Sequence, residues 1–180
     1  MSGCSTSIFI DTLPPADAAS LAWVQSSPFS GPSVTASWTI STDPDLASQT
    51  VQFYSDGTCT AAFGAPVNLA AATNTQALAG VTNTNTYSYK VTSVDSANNS
   101  STSGCSSSIT IDTSAPAGAS GLAWTQGSYS TSLSVNGTWT SSASGDEVSE
   151  TIRIYENDAA CSGAIFAKQT LAASTATYNF

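Results

Sequence analysis

Residues 4 to 40 of this chain return, shifted by one constant, at residues 105 to 141. Cys4, Asp11, Pro15, Leu21, Trp23, Gln25, Val34 and Trp38 reappear as Cys105, Asp112, Pro116, Leu122, Trp124, Gln126, Val135 and Trp139, every pair 101 residues apart. A repeat of that length is a whole small domain, longer than the roughly 20 to 50 residues of a solenoid rung. The chain is therefore read as part of a tandem array of like domains.

The phase of the repeat sets the expected boundaries. Residues 2 to 12 (SGCSTSIFIDT) match residues 103 to 113 (SGCSSSITIDT), which close the first whole unit. Residues 1–12 are thus expected to be the last strand of a missing upstream domain, residues 13–112 a complete domain, and residues 113–180 a truncated second one. Leu171 and Phe180 fall opposite Leu69 and Leu78 once a one-residue shift between Cys59 and Cys161 is allowed for, so counterparts of residues 79 to 112 are not present. Met1 precedes no charged n-region and no apolar h-region, and its position reads as a fragment boundary. Ser2-Gly3-Cys4 lacks the apolar run that a lipoprotein signal needs.

Composition excludes several function classes. Charged residues make up 8% of the chain, against about a quarter in ordinary globular domains, and Ser, Thr, Ala and Asn fill the surface instead. Such surfaces suit extracellular repeats. Only Lys90, Arg153 and Lys168 are basic and the formal charge is −9, so no cationic stripe is available for nucleic acid or anionic lipid. No apolar run approaches the roughly 20 residues of a membrane helix, so no membrane insertion is expected in this stretch.

Period-2 alternation dominates the local pattern. Val34, Ala36, Trp38 and Ile40 alternate with Ser33, Thr35, Ser37 and Thr39, as in a half-buried antiparallel strand. Val51 and Phe53 alternate with Gln52 and Tyr54, and Tyr87, Tyr89 and Val91 with Ser88, Lys90 and Thr92. Leu21/Trp23 and Ile109/Ile111 are shorter cases. Turn-forming clusters separate them, among them Ser30-Gly31-Pro32, Asp43-Pro44-Asp45, Ser55-Asp56-Gly57 and Thr82-Asn83-Thr84-Asn85. Seven short strands in about 100 residues describe a two-sheet sandwich. Its expected core is Leu21, Trp23, Val34, Trp38, Val51, Phe53, Leu78, Tyr87, Tyr89, Val91, Ile109 and Ile111.

Trp38 within SVTASWTIS, the Tyr54 strand, Leu78-Ala-Gly-Val81 with Tyr87 six residues on, then Tyr89-Lys-Val91 and VDSANNSS resemble a fibronectin type III or bacterial Ig-like module. The resemblance implies an all-β fold of tandem Ig-like or fibronectin type III-like β-sandwiches, the second incomplete. It also implies that Trp38 lies on the second strand and that the Tyr87 hydroxyl bonds back to backbone near the fifth-to-sixth connection. Asn83 replaces the Pro usual in that corner, and two cysteines per unit depart from most fibronectin type III domains. Both departures point toward the bacterial Ig-like repeats of large secreted or surface proteins.

Four cysteines allow three connectivities. An extracellular repeat that keeps two cysteines usually oxidises them, so Cys59 and Cys105 are expected to pair within the unit. The loop after Gly57 must then fold back to bring the two Cα atoms within about 7 Å. Cys4 and Cys161 are expected to stay free or to cross-link between molecules. Pairing Cys4 with Cys59 and Cys105 with Cys161 is rejected, because each bridge would run from one domain's last strand to the far end of the next. Zinc is disfavoured by the absence of His and of any CxxC pair.

The catalytic inventory is empty. With no His, the usual base for a Ser or Cys nucleophile is missing, and no catalytic residue is assigned. Asp43 and Asp45 flank Pro44 and read as a turn; Asp146, Glu147 and Glu150 fall in the same connection one repeat later. No cofactor is expected. Calcium is the one ion weighed, on Asp11, Asp17, Asp95, Asp112 and Asn98, and these are read as structural loop residues because a hard cation needs six to eight oxygens. Lys90 is out of phase with Tyr87, Tyr89 and Val91 and should point to solvent, which disfavours a Lys–Asn isopeptide bond in the core.

The aromatic residues divide by phase. Trp23, Trp38 and Trp139, with Tyr87, are read as structural core, while Tyr54 and Tyr155 are out of phase with their inward neighbours and are the expected ligand contacts, together with Phe29 and Tyr129 in turns. Sequons at Asn98, Asn99 and Asn136 would matter only in a glycosylating host. The expected function is a structural repeat, a stalk or spacer of a bacterial extracellular or cell-surface adhesin-like protein. The alternative is an accessory module of a secreted polysaccharide-degrading enzyme. Partners would be neighbouring repeats of the same chain and an extracellular protein or carbohydrate ligand.

Overall fold

The computed structural model describes residues 4–127 and 129–180. All regular structure among them is β, and the chain divides into two compact units, Met1–Ser114 and Ala115–Phe180.

In the first unit the strands are β1 (Ala19–Trp23), β2 (Ser33–Thr39), β3 (Leu46–Tyr54), β4 (Ala62–Ala70), β5 (Thr75–Ala79), β6 (Thr86–Asp95), β7 (Ser100–Thr102) and β8 (Ile109–Thr110). They form one sheet ordered β1-β2-β5 and a second ordered β4-β3-β6-β7, with β8 also on β6. Every ladder between them is antiparallel. This is the two-sheet sandwich expected from the alternation. The last strand, however, is split into β7 and β8.

The split has a side-chain cause. Ser103 and Ser106 point into the ladder, and their hydroxyl oxygens accept from Val91 N and Tyr89 N at 3.0 Å each. Their own N–H groups donate to Val91 O and Tyr89 O. Two serine hydroxyls thus stand where backbone carbonyls would, satisfying the edge of β6 while the main chain bows outward at residues 103 to 108. Cys105 sits at the crest of that bow.

The core lies between the sheets. Val34, Ala36, Trp38, Val51, Phe53, Leu78, Tyr87, Tyr89, Val91, Ile109 and Ile111 are buried, and these are the in-phase positions of each strand. Leu21 and Trp23 are only partly buried, because β1 is an edge strand whose register slips between Ala19 and Ala22. Phe29 departs from its expected place in an open turn: it packs against the core, and its main chain bridges Ile111. Tyr89 is the hub, 5.1 Å from the Trp23 ring, 6.2 Å from Trp38 and 6.1 Å from Phe53. Its hydroxyl reaches across to the opposite sheet, 2.9 Å from Ala22 O and 2.5 Å from Ser37 O. Burial pushes its pKa up to about 12.

The second unit holds β9 (Ser120–Trp124), β10 (Asn136–Thr140), β11 (Ser149–Tyr155), β12 (Ile165–Ala172) and β13 (Thr177–Asn179). They form a sheet ordered β13-β10-β9 and a pair β11-β12, repeating the pairings of β5-β2-β1 and β3-β4. Nothing among the described residues corresponds to β6, β7 and β8, so one edge of β11 is open. Trp139 is buried all the same, whereas Leu122 and Trp124 on β9 are more than half exposed.

Candidate functional site

The cysteine loop of the first unit is built on Asp56. Its carboxylate accepts from Thr58 N at 2.8 Å, Thr60 N at 3.1 Å, Ala61 N at 2.5 Å and the Thr60 hydroxyl at 2.7 Å. These donors, the Thr60 hydroxyl first, hold the carboxyl well below the usual carboxylate range. One side chain therefore winds residues 56 to 61 into a fixed turn, in which Cys59 takes a left-handed backbone with φ of 57°. Cys59 is bonded to Cys105 with the Cα atoms 5.8 Å apart. The loop folds back over β6, where the Ser88 hydroxyl donates to Asp56 O at 2.6 Å and lies 3.2 Å from Cys59 Sγ.

The same device recurs without its bridge. In the second unit Asp158 accepts from Ala160 N at 2.9 Å, from Ser162 N at 2.7 Å and from Gly163 N, and these donors, Gly163 first, lower its pKa. Cys161 has φ of 54°, nearly that of Cys59. It is free and exposed, as is Cys4.

Acidic groups separated in sequence converge in the first unit. Carboxylate oxygens of Asp11, Asp45 and Asp95 lie within 4.8 Å of one another. Asp95 is buried at the end of β6 and is held by its own turn, accepting from Ala97 N, Asn99 N and Asn99 Nδ2. Asn99 Nδ2 also donates to Asp11 O at 3.2 Å, which ties the segment before β1 to the β6–β7 turn. Asp45 is pushed up to about 6, first by a hydrogen bond with Asp43, then by burial and by the charges of Asp43, Asp11 and Asp95. Of the residues weighed for calcium, Asp11 and Asp95 meet here, joined by Asp45 from the Asp43-Pro44-Asp45 turn. With one converging oxygen from each, the three carboxylates supply three of the six to eight oxygens of a full calcium shell, and Asp95 already receives three N–H donors.

Tyr54 and Tyr155, expected to be exposed contacts, are half-buried near the ends of β3 and β11. The main chain of Tyr54 is paired on both sides, with Ala62 and Ser88. Tyr129 alone of the turn aromatics stands fully in solvent. Lys90 is likewise only half-exposed on β6. At the other end of the first unit Thr82 N donates to the Tyr87 hydroxyl at 3.1 Å, closing the corner before β6. Asn83 then holds the exit of the domain, accepting from Thr113 N and donating to the Ser114 hydroxyl, both at 2.8 Å. That polar clamp is the work of the residue standing where proline was expected.

Gln49 is a functional scaffold residue that alternation did not reveal. It is buried on β3, accepts the Trp38 indole N–H at 2.8 Å and donates to Ala71 O and Thr73 O at 2.7 Å each. A polar residue at a core-phase position, eleven residues after a tryptophan in both repeats, was the available signal.

A three-stranded sheet packed on a four-stranded one, with a hydrogen-bonded tyrosine at the start of the sixth strand, defines a fibronectin type III-like sandwich. The chain is all-β and carries a second unit of the same design. Solved structures of that fold are similar to it. The fibronectin type III domain of human contactin 1 matches with a TM-score of 0.45 and 16% identity, covering 65% of this chain and 98% of that one. The corresponding domain of the human collagen alpha-1(XX) chain matches with a TM-score of 0.41 and 18% identity, over 66% and 98%. A two-domain segment of chicken tenascin matches with a TM-score of 0.41 and 11% identity, over 91% and 82%. No protein-family model matches the chain, and no curated protein matches its sequence.

Proposed function

We propose that this chain is a structural spacer, a stretch of tandem sandwiches from a bacterial extracellular or cell-surface protein, and that it has no catalytic role. The observation that carries this reading is what recurs from one unit to the next. The Gln25 side chain accepts Thr35 N at 2.8 Å, and Gln126 accepts Asn136 N at 3.0 Å. Trp38 is bonded to Gln49, and Trp139 to Glu150. Asp56 and Asp158 wind the same loop. The shared elements brace the sandwich, and Tyr54 and Tyr155, which also recur, are half-buried in their strands.

An oxidising compartment accords with the Cys59–Cys105 bridge, and the low charge of the surface accords with an extracellular setting. The Asn83 clamp on Thr113 and Ser114 braces the last residues of the first unit.

The test is a binding panel. The full chain, immobilised and exposed to plant and bacterial polysaccharides and to extracellular matrix proteins, is expected to show no saturable binding. A saturable interaction abolished by Tyr54→Ala or Tyr155→Ala would replace the spacer with a ligand-binding module.

A further inference from the structure

The two halves of the Cys59–Cys105 bridge are unequally covered. Cys59, within the turn that Asp56 holds, is 7% exposed, whereas Cys105 stands exposed at the crest of the bow between β7 and β8. A reagent arriving from solvent therefore meets the Cys105 sulfur first. Thiol–disulfide exchange proceeds by attack on one sulfur with departure of the other, so this asymmetry fixes which cysteine takes up the reagent and which one leaves. The leaving sulfur already has a place. Cys59 Sγ lies 3.2 Å from the Ser88 hydroxyl oxygen and 3.6 Å from Tyr89 O, and either accepts the S–H of a free thiol.

Neither cysteine depends on the bridge for its position. The Asp56 carboxylate accepts from the main-chain N–H groups of Thr58, Thr60 and Ala61, and Ser55 N closes the turn on Ala61 O at 2.9 Å. On the other side Ser103 N and Ser106 N donate to Val91 O and Tyr89 O, and the Trp23 indole N–H donates to Ser107 O at 2.9 Å. The bow is thus tied to β6 before and after Cys105, and to β1 through Trp23. None of these bonds involves sulfur. With the bridge open the two thiols stay poised against each other, so that opening is reversible.

The bridge also divides the chain. Its sequence separation is 46, and β4, β5, β6 and β7 all lie between the two cysteines. Tension along the chain passes from Cys59 to Cys105 through the two sulfurs, so these four strands stay outside the load path even when the rest of the unit is drawn out. Opening the bridge adds their length, roughly 150 Å at about 3.5 Å per residue.

We propose that Cys105 is an exchange site for low-molecular-weight thiols such as glutathione, and that exchange there sets how far the first unit extends under load. The mechanical role rests on the spacer reading above; the exchange site does not. The thiolate of the small thiol attacks Cys105 Sγ, a new S–S bond forms there, and the bond to Cys59 breaks with its electron pair going to the Cys59 sulfur. That sulfur takes up the proton the small thiol lost. One disulfide replaces another, with no net oxidation. Return attack by the Cys59 thiolate on the Cys105 sulfur expels the small thiol and restores the bridge.

The experiment uses the full chain with Cys4→Ser and Cys161→Ser, which leaves the bridge as its one cysteine pair. The protein is exposed briefly to glutathione, its circular dichroism is recorded, and it is quenched with N-ethylmaleimide and mapped by mass spectrometry. Among chains carrying one glutathione, attachment at Cys105 with maleimide on Cys59 should exceed the reverse by at least about tenfold, with the folded spectrum kept. Comparable attachment at Cys59, or loss of the folded spectrum on opening, overturns the exchange site. Single-molecule pulling on the same chain then reads the unfolding step of the first unit, which should lengthen by roughly 150 Å at glutathione concentrations that open the bridge. An unchanged step overturns the mechanical role. Both readouts follow the bridge and not any ligand, so their failure is distinct from a failure of the spacer reading in the binding panel.

Discussion

Trp139 donates its indole N–H to Glu150 at 2.8 Å, where one repeat earlier Trp38 donates to Gln49 at the same distance. The geometry is kept and the acceptor changes from a neutral amide to a carboxylate. An ionised acceptor strengthens the bond but makes it depend on pH.

The hydrogen bond from Trp139 is the largest of the influences that lower the Glu150 pKa. A depressed carboxyl contributes stability that is present above its unfolded pKa and is lost as pH falls through the folded one. The indole N–H resonance of Trp139 should therefore shift as pH drops below the ordinary carboxylate range, while that of Trp38 stays constant. In Glu150→Gln both resonances should be flat. A Trp139 signal that titrates equally in the variant would assign the dependence elsewhere.

Gln49 satisfies one donor and two acceptors inside the sandwich. Gln49→Ala leaves the Trp38 indole N–H and two carbonyls without partners, at a cost of about 3 kcal/mol. Trp38→Ala should cost about 3 to 5 kcal/mol through the cavity it leaves. Both are read from the denaturant midpoint of the first-unit transition, and a loss below about 1 kcal/mol for Gln49→Ala would mean that water takes over its bonds.

Asp45 behaves in the opposite sense to Glu150. Its folded pKa of about 6 lies above the ordinary value of 3.8, so the native state holds a proton that the unfolded chain releases. Stability should accordingly fall as pH rises from about 4 to 6. Asp45→Asn should remove that decline and raise the melting temperature at pH 7, with the difference shrinking in high salt. Melting curves of both proteins across this window supply the comparison.

Closing a loop of 46 residues, the Cys59–Cys105 bridge should contribute roughly 4 kcal/mol. Thermal unfolding with and without reductant measures it. Cys59→Ser with Cys105→Ser should match the reduced protein, and the turn held by Asp56 should survive in the variant, since its hydrogen bonds do not involve sulfur.

Open edges and exposed apolar faces should appear in exchange kinetics. Amides of β10 and β11 are expected to exchange faster than their counterparts in β2 and β3, because β11 has a ladder on one side only. Equal protection around Trp38 and Trp139 would show that the five strands of the second unit suffice.

What could be read from the residues is local or periodic. The 101-residue repeat announced two like domains, and alternation in Val34 to Ile40 and Tyr87 to Val91 placed strands and their inward faces, because the pleat sends successive side chains to opposite sides. Other features required the folded chain. Asp11, Asp45 and Asp95 lie far apart in sequence and meet only because the β6–β7 turn and the turn before β3 share one end of the sandwich. Asp43 and Asp45 read together as a turn, and the contribution of Asp11 and Asp95 to the raised pKa of Asp45 exists only in the folded chain. Phe29 looked like an exposed turn aromatic until the parallel bridge to Ile111 drew it against the core. Only the neighbouring edge of β6 gives the Ser103 and Ser106 hydroxyls the role of ladder acceptors. Short-range rules cannot supply such partners, since each is delivered by a segment whose distance is set by the closure of the sheets.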